Sequence, residues 1–109
     1  MSKNILTKRR IMMQLMVELT IPTPFTPEFM LQIPEQRKVI DEFMEDGVVL
    51  SYALSMDRAK LWMVLAVDEY TEVAEIMMDM PLFKDLEYQV TELMFNHAGT
   101  VHIPAFSLN

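Results

Sequence analysis

The segment Pro81-Leu82-Phe83-Lys84-Asp85-Leu86-Glu87-Tyr88-Gln89-Val90 constrains the fold most. A proline just beyond an amphipathic stretch ends a helix, because its ring cannot continue the hydrogen-bond ladder. The aromatic and β-branched residues behind it feed a strand. A helix that turns at once into a strand has to pack on a sheet, since neither element can bury its apolar side alone.

The chain upstream supplies that sheet. Residues 11–21 read as the first strand. Met13, Leu15, Val17 and Leu19 alternate onto one face, and Met12, Gln14, Met16, Glu18 and Thr20 onto the other. Pro22-Thr23-Pro24 ends it, because proline cannot donate to a ladder. Thr26, Pro27 and Glu28 form a helix start: a hydroxyl cap, a proline in the first turn and an acid at the positive end of the dipole. Pro34 predicts either a kink or a break into two segments, 27–33 and 35–46, and Gly47 a left-handed end. Asp41, Glu42, Glu45 and Asp46 crowd the negative end of that helix, as a solvated end or an acidic partner face. Residues 48–56 and 60–67 read as a hairpin around Asp57-Arg58-Ala59. A second helix is expected over 69–80 with Asp68 as its cap, and a last strand over 86–95.

Strand, helix, hairpin, helix, strand is a split βαβ unit. The order predicts an α+β, ferredoxin-like βαββαβ domain with a four-stranded antiparallel sheet, covering residues 11–96 of the 109. Two crossover helices fit on one sheet face. The other face, with Met12 and Met16, is expected to be too apolar for water and to dimerise, giving a homodimer or a larger homo-oligomer. The tail 97–109 keeps Val101, Ile103, Phe106 and Leu108 and is expected to pack on a neighbouring subunit.

Composition excludes several functions. The formal charge is −7, and four of the nine Lys and Arg residues lie in residues 1–10, read as a flexible basic tail. An acidic remainder repels phosphate backbones, so no nucleic-acid partner is expected. No apolar run nears the ~20 residues that span a bilayer, and no membrane partner is expected. Gln14 and Glu18 interrupt the apolar run behind the basic start, unlike a secretory signal. Without cysteine there is no disulfide, thiolate metal site or Cys nucleophile, and the cytoplasm is the default compartment. Twelve Met residues suit a core or interface filler, or a pocket that moulds to its ligand.

From Gly47 to Val90 the chain resembles the muconolactone delta-isomerase family. Gly47, the hairpin, Val67 before the second helix and Pro81-Leu82-Phe83 stand at family-like spacing, and Val90 fits the strand that follows. The resemblance implies small ferredoxin-like subunits, of the dimeric α+β barrel kind, that assemble through their sheets. It also implies a cofactor-free proton shift beside a carbonyl in a small lactone or organic acid. The chain departs from the family where the isomerases carry a His and a Lys in the first strand: here stand Gln14 and Met16. Ser51, Tyr52, Ala53 and Leu54 replace a polar stretch of the second strand, so the polar pocket is largely neutral or apolar. The alternative is a non-catalytic assembly or ligand-sensing module.

Proton-transfer chemistry needs a base and a donor for the enolate. Glu18, the lone acid on its strand face, is the candidate base, and burial there is expected to raise its pKa. The plainer reading is a rim carboxylate hydrogen-bonded at the strand end. Gln14 on the same face is the candidate donor. Met12, Met16, Tyr52, Arg58 and Trp62 are candidate ligand contacts: Arg58 for an anion, Tyr52 and Trp62 for a ring. The plainer readings are that Arg58 pairs with a nearby carboxylate or faces water, and that the two aromatics are core or dimer-interface packing. His97 and His102 lack the spacing of a zinc motif, so no metal or other cofactor is expected.

Overall fold

The computed structural model describes residues 12–97. Residues 1–10, His102 and the tail beyond His97 lie outside the described residues, and so does the expected packing of that tail. The described chain is α+β: β1 (Met13–Thr20), α1 (Pro27–Leu31), α2 (Ile33–Glu45), β2 (Val49–Leu54), β3 (Lys60–Val67), α3 (Glu72–Met78) and β4 (Tyr88–Glu92). The strands form one open antiparallel-paired sheet in the order β2-β3-β1-β4.

The alternation of β1 sets which face is which. Leu15, Val17 and Leu19 are fully buried and join a core with Ile40 of α2, Leu61, Met63 and Leu65 of β3, and Val73, Ile76 and Met77 of α3. Each such side chain withdrawn from water contributes roughly 1.5–3 kcal/mol before chain entropy is counted. Glu18 stands opposite Trp62 on β3 and Gln89 on β4, on the face turned away from this core.

Pro34 has the expected effect at a slightly shifted place. The helix breaks at Gln32, and the proline sits in the first turn of α2, where a missing N–H costs nothing. Thr26 caps α1, its Oγ1 accepting from the Phe29 N–H at 3.1 Å. Gly47 has φ +77°; its N–H donates to the Met44 carbonyl and that of Val48 to the Phe43 carbonyl, which closes α2.

α3 is shorter than the 69–80 expected and starts at Glu72. The Glu72 carboxylate reaches back to accept from the N–H groups of Asp68 and Glu69 at 2.9 and 2.8 Å. These two N–H groups are thus held in a turn ahead of the helix. The last strand is likewise trimmed to Tyr88–Glu92. The turn before it is packed: Phe83 is 3% exposed, and its carbonyl accepts from the Leu86 N–H.

Candidate functional site

Among the described residues, two places carry candidate chemistry, one on each side of the sheet. On the open face, Glu18 is fixed by its cross-strand neighbours. Lys60 Nζ donates to Glu18 Oε2 at 2.9 Å, and the Trp62 indole Nε1 donates to Oε1 at 3.2 Å. The Glu18 and Lys60 side chains retain 38% and 42% of their exposure. The bond from the Lys60 ammonium, the bond from Trp62 and the Lys60 charge hold the Glu18 carboxyl below its ordinary value, and they outweigh desolvation. The expected rise is therefore corrected to a lowering, because a cation and an indole N–H stand where apolar neighbours were expected.

The β-register explains the arrangement. Glu18 faces Trp62, and Thr20 faces Lys60 across the same ladder. An open groove beside this cluster is lined by Glu18, Thr20, Lys60, Leu86, Glu87, Tyr88 and Gln89. Gln14 lies four residues along the strand, roughly 13 Å from Glu18 at the rise of extended chain, with Met16 between them. Met12 is half-exposed and shares a second groove with Gln14 and Phe95. Gln14, Met16, Glu18 and Trp62 thus share one face, as their alternation required.

Tyr52 and Arg58 do not belong to that face. A bulge between Val49 and Ser51 shifts the register of β2, so that Tyr52 stands opposite Met63 and Ala53 opposite Trp62. One extra residue sends every later side chain to the other side. Tyr52 therefore points to the helix side, and Trp62 away from it. Arg58 lies in the hairpin with φ +67°, its guanidinium 5.9 Å from the centre of the Phe25 ring. The hairpin is held by Asp57, which accepts from the Ser55 hydroxyl at 2.6 Å and from the Ala59 N–H at 2.9 Å.

Tyr52 lines the second candidate site, a cavity of about 220 Å³ between α1, α2 and the edge of the sheet. Phe25 and Phe29, 4.6 Å apart between ring centres, form one wall. Ile33, Gln36, Arg37 and Ile40 of α2 form another. Tyr52, Leu54 and Leu61 of the sheet and Leu82 and Phe83 of the turn complete the lining of this half-open pocket. Almost all of this lining is apolar. The exception inside is Gln36, which is 3% exposed. Its Oε1 accepts from the Leu82 N–H at 2.9 Å, and its Nε2 has no hydrogen-bond partner among the described residues.

Gln36, Phe25, Phe29 and Leu82 are the residues that sequence reasoning did not select. A signal for Gln36 was present: Ile33, Gln36, Ile40 and Phe43 fall on one helical stripe, and a carboxamide on such a stripe needs a partner.

Among the described residues, no group of three or more His, Asp or Glu side chains is placed to hold a metal ion, and no helix is long and apolar enough to cross a membrane. Compared with known protein families and with curated proteins, the chain matches none.

Proposed function

We propose that the chain is a ferredoxin-like, small-molecule-binding module that takes its ligand into the cavity between its first two helices and the β2 edge. The order β2-β3-β1-β4 with helices on one face supports the ferredoxin-like reading. The observation that carries the function is the pocket of about 220 Å³, apolar except for Gln36, Arg37 and the hydroxyl of Tyr52. Sites for small molecules have this form: a concave, largely apolar wall with a few polar groups.

Assembly into a homodimer through the open sheet face completes the reading. The face is mixed rather than uniformly apolar, with Trp62 and Met16 beside Glu18 and Lys60. The cytoplasm is the compartment that suits a chain without cysteine.

Proton-transfer isomerisation, which the muconolactone isomerase resemblance implies, would rest on Glu18. A carboxylate held ionised by Lys60 and Trp62 is a weak base near neutrality. This geometry favours the non-catalytic form of the reading. A panel of lactones and small organic acids, screened by ligand-observed NMR, tests it. At least one member should bind, and Leu54→Trp, which enlarges a half-exposed residue at the cavity edge, should block it. A panel without binders, or binding indifferent to Leu54→Trp, would refute the proposed site.

A further inference from the structure

The two edges of the sheet differ. β4, at one edge, carries Glu92, and Glu87 stands directly ahead of it. Charges on an edge strand discourage a second strand from adding to it. β2, at the other edge, has neither a charge nor a proline, and the sequence carries none from Gly47 to Met56. The bulge between Val49 and Ser51 lies at the start of β2 and leaves the rest of the strand straight.

The open backbone of this edge can be placed residue by residue. The Ser55 N–H donates to the Lys60 carbonyl at 2.8 Å, so Ser55 faces β3. Alternation along an antiparallel ladder then turns the N–H and C=O groups of Leu54 and Tyr52 outward. Their side chains are 48% and 39% exposed. A strand added here gains backbone hydrogen bonds and covers both side chains. The charges at the two ends of β2 select that strand. Asp46 closes α2 just ahead of β2, and Arg58 follows β2 in the hairpin. Among the described residues, neither is in an ion pair. The Asp57 carboxylate beside Arg58 is already engaged by the Ser55 hydroxyl and the Ala59 N–H.

We propose that β2 pairs antiparallel with β2 of a second copy of this chain, joining the two sheets edge to edge. Centred on Tyr52, the pairing sets the outward backbones against each other and brings Asp46 of each copy opposite Arg58 of the other. Parallel pairing would set acid beside acid instead. In a chain of charge −7, two copies meet along this edge without repulsion and with attraction at both ends. The contact is separate from the open face and does not depend on the pocket. A single strand edge falls below the ~1,200 Å² of stable interfaces, so it forms on the order of 100 μM, above the range of the open-face contact.

Sedimentation velocity of the full chain between about 10 and about 500 μM tests the proposal. The wild-type mass should rise across that range. Arg58→Glu and Asp46→Arg each set like charges against each other at both ends and should weaken the rise about tenfold. The double variant, whose net charge equals that of the wild type, should restore it. Over the same range the wild-type Tyr52 and Leu54 amides should gain protection from hydrogen exchange. A wild-type mass constant across the range would overturn the proposal. So would single variants that associate like the wild type, or a double variant that does not recover. Unchanged exchange at Tyr52 and Leu54 while the wild-type mass rises would overturn it as well, and that result needs no variant to fold.

Discussion

Glu18 and Trp62 stand directly opposite each other on β1 and β3, and the indole N–H of one donates to the carboxylate of the other at 3.2 Å. With Lys60 on the second oxygen, Glu18 is an ionised anchor of the open face. Its cross-strand partners hold it charged, and that charge has a consequence for acid stability.

Glu18 has a folded pKa below its unfolded value, so its contribution is fully present above the unfolded value and lost as pH falls through the lower folded one. Asp57 behaves alike, lowered first by the Ser55 hydroxyl and then by the Ala59 N–H. Denaturant midpoints measured from neutrality into acid should therefore fall on the acid side, and Glu18→Gln and Asp57→Asn should each flatten that fall. An acid limb equally steep in both variants would show that neither carboxylate is held as described.

Phe83 is almost fully buried beneath the turn from α3 to β4, and it also closes one end of the cavity. Phe83→Ala should lose about 3 kcal/mol or more in urea unfolding, as large-to-small core changes do. A loss within experimental error would mean that the turn does not pack on this ring.

Gly47 sits at φ +77° with no atom within 4 Å of where a Cβ would stand. Gly47→Ala therefore meets no clash and carries backbone strain alone, about 1–2 kcal/mol. Urea unfolding should show a loss in that range. A neutral or stabilising effect would mean that the helix end can close without the left-handed residue.

Assembly through the open face predicts a dimer at micromolar concentration in sedimentation equilibrium. Ala53 is exposed and stands opposite Trp62 on that face, so Ala53→Asp should shift the population to monomer without unfolding it. A wild-type monomer, or a dimer indifferent to Ala53→Asp, would exclude this face as the interface.

Much of this was legible before any coordinates. The strict alternation from Met13 to Leu19 assigned both faces of β1, because a period of two leaves no other choice. Pro34 and Gly47 marked the helix limits through their own backbone restrictions. The bulge between Val49 and Ser51 was not legible. It contains neither Gly nor Pro, and it alone decides that Tyr52 and Trp62 face opposite ways. The plainer reading of Glu18, a hydrogen-bonded rim carboxylate, matches what is seen, but its partners were not legible: they are 42 and 44 residues away, and only the β1–β3 register brings them together.

The central claim is that the cavity behind Phe25 and Tyr52 is the binding site. Residue-resolved amide shift mapping of the ¹⁵N-labelled chain during titration with phenylacetate tests it most directly. Saturable shifts are expected at Phe29, Gln36, Tyr52, Leu54 and Leu82, with Glu18 and Trp62 on the opposite face little changed. Shifts centred on Glu18, Lys60 and Trp62, or none at saturating ligand, would contradict it.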